Sequence, residues 1–558
     1  MNRRHFLHLG GLSMASLLIA GRASAQLRTE EGRLMRPPDS VTAILNGEVV
    51  QLHLEGGSRW KHNALLVDVI ERGATLAVEL QAPGVQLSEV KLHWKGEAKA
   101  GSRLLNDQWE RTYGDASWHP LRDNEILPWY FMEFSEGCTY GFGVKTGTRS
   151  MCSWGFRDGE LALTLDTRSG GNGVQLGERK LLAAEIVIIQ SKEGETPFQT
   201  ARRFARTMCD KARMPAQPVY GINDWYFTYG RNSADLIITH TALAAPMAEG
   251  LSNRPFSVVD AGWYKKSPVS PDDGGWGDSM AEEDPRFGKM DALAAKIKQL
   301  GMRPGIWTRP LCGSYKDPKS IMLPIIHGRD PRFPVLDPTI PENQNRIREY
   351  FKLYNQWGYE LVKFDYTTFD IFGKWGVQML KDRTLTPQHW SMHDNSKTNA
   401  EIILSLYQTI REAAGDTYVI SCNTVSHLSA GLFELNRIGD DTSGREWERT
   451  PRMGVNTLAF RGVHHGAFYA ADPDCVGLTT LVPWEKNKQW MQLVASSGTP
   501  LFVSAQPEAV KAEQKSAIKE AFALASQELP LGEPLDWMEH QVPARWKLNG
   551  QIMEFNWV

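Results

Sequence analysis

Cysteine is scarce in this chain: six residues in 558, at Cys138, Cys152, Cys209, Cys312, Cys422 and Cys475. None is spaced C-x-x-C, which excludes zinc-ribbon and thioredoxin-type arrangements. Buried free thiols are the expectation, with a Cys138–Cys152 disulfide as the alternative. Charge of one sign is also lacking. There are 62 Lys+Arg against 65 Asp+Glu, a formal net charge of −3, so no overall basic field is available for nucleic acid. Long apolar runs are missing as well. The stretch from Leu9 to Ala20 is interrupted by Gly10 and Gly11 and is too short to span a bilayer. With 42% hydrophobic and 23% charged residues, the chain is an ordinary globular one. Aromatics, by contrast, are plentiful: 10% of residues, 19 of them Trp. That frequency suits either a large core or a surface that stacks on sugar rings.

Residues 1–25 read as a separate object. Arg3-Arg4 precede the mild apolar stretch, and Ala23-Ser24-Ala25 offers an A-x-A cleavage site. This pattern predicts a signal peptide of the twin-arginine type and an exported, periplasmic or extracellular protein. Its removal would delete Arg3, Arg4 and Arg22 and no acid, taking the formal charge from −3 to −6.

From 26 to 196 short apolar runs such as Val41–Leu45, Thr75–Leu80 and Leu182–Ile189 alternate with Gly, Asn and Asp clusters, which predicts a β-sandwich. A linker helix is expected from Pro197 to Ala212, within a 197–218 connection. From 219 to 525 the rhythm becomes strand, loop, helix. Eight candidate strands are Ile222–Phe227, Phe256–Asp260, Arg303–Thr308, Glu360–Tyr366, Tyr418–Asn423, Glu434–Gly439, Ala467–Asp472 and Thr499–Ser504. Met290, Leu293, Ala294, Ile297 and Leu300 fall at helical spacing before Gly301. The fold class is therefore multidomain β plus α/β: an N-terminal β-sandwich, a (β/α)8 TIM barrel and a short C-terminal β segment at 526–558, with a hairpin turning at Asn549-Gly550. A doubly wound sheet is the structural rival.

Barrel chemistry sits at the C-terminal ends of the strands, so the polar residues there are the candidates. Lys363 and Asp365 are two apart and share a strand face; a carboxylate beside an ammonium stays ionised, as a nucleophile requires. The sixth strand offers Asp440 and Asp441 after Arg437. Adjacent aspartates repel, so one is expected paired and the other raised in pKa as a proton donor. Two carboxyl groups across a pocket are the minimum for glycoside hydrolysis. Trp225, Asp260, Trp263, Trp307, Arg309 and Asn423 close other strands and suit hydroxyl and C–H contacts with a sugar. His389 and His393, and also His464-His465, are expected at the surface rather than on a metal. The long loops 309–343 and 367–396 are candidates for a lid or an added subsite.

The ordered segments Phe256–Trp263, Leu300–Trp307, Lys363-Phe364-Asp365, Arg437–Asp441, Ala471–Asp474 and Gly498–Leu501 resemble the clan D retaining glycosidases, the α-galactosidases of glycoside hydrolase families 27 and 36. The preceding sandwich and the stretch Leu105–Asp115 resemble family 36 more closely. The resemblance implies Asp365 as nucleophile, Asp441 as acid/base, and Lys363, Arg437, Trp225, Asp260 and Trp307 as substrate-binding, with Asp440 a neighbour. It implies an oligosaccharide or glycoside substrate and no cofactor. Asp472 and Asp474 are expected to support the rim. Galactosidases of this group carry two adjacent acids after the second strand; here Asp260 is followed by Ala261, which opens the choice to a 6-deoxy, pentose or N-acetylated sugar. A transglycosidase with the same carboxylates, and a non-catalytic sugar-binding protein, are the competing readings.

Overall fold

The structure, a computed structural model, describes residues 36–96, 101–267, 277–326 and 334–558. The expected export signal at 1–25 lies outside them.

Alternating side chains build the N-terminal layers. In Ser40–Leu45, Val41, Ala43 and Leu45 turn inward; Glu160–Asp166 repeats this with Leu161, Leu163 and Leu165. A period of two buries one face of an antiparallel strand. One sheet pairs Ser40–Leu45, Leu87–Lys95, Glu160–Asp166 and Met151–Arg157. The other pairs Leu65–Arg72, Thr75–Gln81, Leu181–Gln190, Cys138–Val144 and Tyr130–Ser135. Strand Glu48–Gly56 joins both, pairing with Ser40–Leu45 and then with Arg59–His62. Trp154 lies 6.2 Å from Trp94 and 5.9 Å from Phe131 in the filling.

The connecting helix runs Pro197–Met208, shorter than the expected stretch to Ala212. A capping box of Thr196 and Gln199 starts it, and Cys209 is extended and ends it. Phe204 lies on the sandwich where only glycine fits: a Cβ at Gly141 or Gly143 would come within 2.7–2.9 Å of its ring.

The barrel follows as a parallel sheet buried on both faces, as parallel strands under helices are. Its strands are β1 (Tyr220–Asn223), β2 (Phe256–Val259), β3 (Arg303–Thr308), β4 (Leu361–Phe364), β5 (Tyr418–Ser421), β6 (Leu435–Arg437), β7 (Ala470–Asp472), β8 (Cys475–Leu478) and β9 (Leu501–Ala505). β1 to β7 pair in the order β1-β2-β3-β4-β5-β6-β7, and β9 pairs with β1. β7 pairs with β6, while β8 pairs with β9. The two are one strand position interrupted at Pro473-Asp474, and through that break the ring closes. Several strands are shorter than the sequence suggests. The first ends at Asn223, because Trp225–Thr228 turns into a helix. Helix Met290–Gln299 stops as expected: Met302 N–H bonds to Ile297 O (3.2 Å) and Gly301 N–H to Lys298 O (2.9 Å), with Gly301 at φ 85°.

The 367–396 segment is no free lid. It holds two short helices, Thr367–Phe372 and Gly376–Asp382. Its far end is tied to the sandwich by Gly171 N–H to Trp390 O (2.9 Å), Gln175 N–H to Asn395 O (3.0 Å) and Asn172 Nδ2 to Ser391 Oγ (2.9 Å). The C-terminal hairpin pairs Arg545–Leu548 with Gln551–Glu554 across Asn549 (φ 46°) and Gly550 (φ 81°), the left-handed pair a two-residue turn needs.

All six cysteines are free thiols, five of them buried; the Cys138–Cys152 bridge is not formed. His389 and His393 are exposed, but His464 is not: it is fully buried, with its Nε2 2.7 Å from Tyr130 Oη at the seam of sandwich and barrel. Its ring fills a polar socket that a sequence pattern cannot reveal.

Candidate active site

Asp365 follows β4, and its N–H bonds to Thr308 O of β3 (3.0 Å). One carboxylate oxygen accepts Tyr366 N–H (2.7 Å); the other lies 3.4 Å from Trp307 Nε1. Tyr366 sits at φ 68°, a left-handed conformation that a bulky residue adopts only when its surroundings impose it. Here the Arg309 guanidinium lies 4.0 Å from the Tyr366 ring centre.

Asp441 stands on the β6 side of the mouth. It accepts from Arg437 Nη2 (3.1 Å), and its side chain is 42% exposed. Burial alone would raise its pKa, but Arg437, Arg111 and Lys363 outweigh that and hold it below the usual carboxylate range. This corrects the expected raised value: three cations surround a group that sequence spacing placed beside one. Tyr366 is held above the ordinary phenol range mainly by burial, with both Asp365 and Asp441 adding to it.

Arg437 is 2% exposed and divides its Nη2 between Asp441 and Asp474, the latter at 3.0 Å. Asp474, in the β7–β8 break, also accepts Thr442 N–H (2.8 Å), Thr442 Oγ1 (3.0 Å) and the Tyr226 hydroxyl. All of these contacts fall on one carboxylate oxygen, Oδ2, through which Asp474 supports the rim. Asp472 beside it is pushed up to about 6 by burial.

The other expected site residues divide. Asp260, after β2, accepts Lys363 Nζ (2.8 Å) and Asn223 Nδ2 (2.6 Å). The Lys363 partner is thus Asp260, not Asp365. Burial works against the Lys363 ammonium, but Asp260 outweighs it and the pKa lies well above the usual value. Trp225 is half-buried at the start of its helical turn, 5.6 Å from Tyr229. Trp307 is 2% exposed and serves Asp365 through its indole N–H rather than offering a face.

Four expectations are corrected. Trp263 is fully buried: its Nε1 donates to Trp307 O (2.7 Å), and Tyr264, Tyr354 and Trp357 meet it edge-on. It is core, not a stacking surface. Arg309 is fully buried and ion-paired to Asp370, so it props Tyr366 from behind. Asn423 is fully buried, its Nδ2 donating to Glu110 and its Oδ1 accepting Phe369 N–H (3.4 Å). Asp440 spends one oxygen on Arg111 (2.8 Å) and the other on Arg449 (3.0 Å). Two ion pairs occupy both of its oxygens.

The sequence reading missed residues that the sandwich lends to this mouth. Glu110 is fully buried and accepts Gly376 N–H (2.6 Å), Tyr113 Oη (3.0 Å) and Asn423 Nδ2. Burial pushes it up to about 7, against the pull of Arg111 and of the Gly376 N–H. The Arg111 guanidinium lies 5.5 Å from the Trp375 ring centre. Trp375 stacks on Phe369 at 4.7 Å, and both are half-buried, as is Tyr366. These rings rather than Trp263 and Trp307 present aromatic surface beside Asp365. Their one sequence signal was the stretch Leu105–Asp115, which carries Glu110 and Arg111 but assigns them no task. Among the described residues no group of three or more His, Cys, Asp and Glu side chains is arranged to hold a metal ion.

No family model matches the chain. Solved structures do. The chain is 18% identical to TtGalA, the α-galactosidase of Thermus thermophilus, solved with p-nitrophenyl α-D-galactopyranoside; the match covers 92% of this chain and 98% of that one at TM-score 0.59. The GH36 α-galactosidase AgaA of Geobacillus stearothermophilus matches at 14% identity and TM-score 0.56, over 88% and 76% of the two chains. The galactosidase domain of the α-galactosidase-sucrose kinase AgaSK matches at 15% and 0.55, over 86% and 68%. The chain has the fold that these enzymes share: sandwich, barrel and the order in which they are joined.

Proposed function

We propose that this protein hydrolyses α-glycosides with retention of anomeric configuration, in the manner of an α-galactosidase. The observation that carries the reading is the state of the two carboxyl groups at the mouth. Asp260, Asp370, Asp440 and Asp474 are each engaged by a cation. Asp365 is held by two N–H donors without a cation on it, and Asp441 leaves much of its side chain open to the mouth. In the first step a carboxylate oxygen of Asp365 bonds to the anomeric carbon. The bond from that carbon to the leaving oxygen breaks, and that oxygen takes the proton carried by the protonated form of Asp441, a minority form at neutral pH because Arg437, Arg111 and Lys363 hold its pKa low. In the second, water attacks the same carbon, Asp441 accepts its proton, and the ester to Asp365 breaks. The charge of Asp365 disappears in the intermediate, which favours the ionised form of Asp441 just when a base is needed.

The pair Asp260–Lys363 is suited to hold vicinal hydroxyl groups, and Trp225, Tyr366 and Trp375 to meet C–H faces. Ala261 is 2% exposed and offers no carboxylate, which favours a galacto-configured sugar lacking or masking one of the hydroxyls that a second acid would hold. The likeness to α-galactosidases and the solved complex of one of them with stachyose support a glycoside or oligosaccharide substrate. Residues 1–25 are proposed to direct export.

The test is a panel of aryl α-glycosides of galactose, fucose, arabinose and N-acetylgalactosamine, with product anomers followed by NMR and with and without an added acceptor sugar. Release of the α-anomer first supports the reading. Release of the β-anomer rejects retention, transfer in preference to hydrolysis makes the protein a transglycosidase, and binding without turnover makes it a sugar-binding protein.

A further inference from the structure

The barrel does not complete its own mouth. The loop between sandwich strands Arg103–Asn106 and His119–Pro120 enters it and lies along the segment that leads from β6 to the acid pair. Thr112 N–H bonds to Ile438 O (3.2 Å), and Asp440 N–H bonds to Thr112 O (2.9 Å). Thr112 Oγ1 is 2.8 Å from Thr457 Oγ1. The loop is itself held: Glu110 O accepts Arg461 Nη1 and Ser426 Oγ, both at 2.8 Å, and Arg461 Nε lies 2.9 Å from Asp107 in a buried ion pair. At the end of this scaffold Arg111 meets Asp440 at 2.8 Å, and Arg449 takes the other oxygen while its Nε donates to Asp441 O (2.9 Å).

We infer that Arg111, a residue of the sandwich, is a positioning residue for the acid/base of the barrel: by clamping Asp440 it leaves Asp441 as the carboxyl that faces the mouth, and its charge tunes that carboxyl. The inference rests on the proposed hydrolysis. Consecutive side chains on an irregular segment do not choose their own roles. Two arginines on Asp440, one from each domain, settle which aspartate is neutralised. The charges that act on Asp441 are Arg437 from β6, in contact at 3.1 Å, Lys363 from β4 and Arg111 from the sandwich; Asp441 in turn acts on the hydroxyls of Tyr226 and Tyr366. Asp474 draws on the same Arg437. Of the three cations, Arg437 is shared with Asp474 and Lys363 is paired with Asp260. Arg111 is the one delivered by another domain.

The readout is the alkaline limb of kcat/KM against pH, which follows the group that must be protonated in the free enzyme. Arg111→Gln removes a positive charge near Asp441, so the limb moves to higher pH and kcat falls about tenfold or more, while Arg111→Lys keeps the limb in place. Asp440→Asn has the opposite sign. It removes the negative charge beside Asp441 and releases Arg111 from that pair, and the limb moves to lower pH. A folded Arg111→Gln protein with the wild-type limb overturns the inference. If that variant fails to fold, an Asp440→Asn protein with an unmoved or alkaline-shifted limb overturns it instead. A wild-type protein without turnover on any glycoside overturns the proposed hydrolysis, and this role with it; an active wild type with unmoved limbs overturns the role alone.

Discussion

The Lys363 ammonium reaches past β3 to the Asp260 carboxylate, 2.8 Å away, although Asp365 lies two residues along its own chain. The consequence is a buried ion pair at the base of the mouth, with 11% and 3% of the side chains exposed. Removing one partner of such a pair leaves a buried charge without compensation. Lys363→Met is therefore expected to lose about 3–5 kcal/mol of stability, read by denaturant unfolding, as well as activity. Equal unfolding midpoints for the variant and the wild type would show that the pair contributes nothing.

Asp365→Asn keeps the shape of the side chain and removes the proposed nucleophile. Hydrolysis should fall by about 10⁴-fold or more, with the melting curve unchanged. Mass spectrometry with a slow 2-fluoro glycoside should find the label on the peptide containing Asp365 in the wild type and on none in the variant.

Asp441→Asn should fall by about 10²–10⁴-fold on glycosides of poor leaving groups and much less on those of acidic phenols, whose oxygen needs no proton to depart. Azide, which needs no base, should recover part of the rate as the azido sugar. Equal losses on both leaving groups would move the proton donor elsewhere.

The tryptophans separate two effects. Trp263→Ala empties a packed site between Tyr264, Tyr354 and Trp357 and should cost about 3–5 kcal/mol of stability. Trp225→Ala, at a half-buried position on the mouth, should raise KM severalfold and leave the melting temperature within a few degrees. A reversal of these two outcomes would exchange the roles assigned to them.

His427 stacks on Trp129 (centroids 4.9 Å, planes 11° apart) and its Nε2 lies 3.0 Å from Val144 O. Burial pushes its pKa down to about 4. The folded value is below the unfolded one, so the unfolded chain binds more protons between about pH 6.5 and 4. This group's contribution is full above about 6.5 and is lost as pH falls toward 4. His427→Gln should be less stable than the wild type at pH 8, with the difference in melting temperature narrowing at pH 5. A constant difference would contradict the assignment.

Periodicity was enough for the layers, because the inward leucines of Glu160–Asp166 and the helical spacing of Met290–Ile297 are local patterns. Strand-end position was enough to nominate Asp365, Asp260 and the adjacent pair Asp440-Asp441 as candidates, since barrels collect their polar residues there; the choice of Asp441 within the pair came from the family resemblance. What spacing could not show is partnership. Lys363 chose Asp260 across β3, Asn423 turned to Glu110, 313 residues away, and Arg309 turned to Asp370. Each of these pairings depends on how far apart strands lie after closure. Trp263 and Trp307 illustrate the same limit: a Trp at a strand end can face the mouth or fill the layer behind it, and only the packing of Tyr264, Tyr354 and Trp357 decides. The cation count around Asp441 needed Arg111, whose sequence neighbourhood belongs to another domain.

The break at Pro473-Asp474 ties the setting of the mouth to the closure of the ring. Asp474 is the residue at the seam where the ring shuts, and it is also what shares Arg437 with Asp441 and anchors Thr442 and Tyr226. A chain in which β7 has docked on β6 but β8 has not yet found β9 would lack that anchor. It would carry all its acidic residues but leave Arg437 without its Asp474 partner, so the setting of Arg437 beside Asp441 depends on closure of the ring.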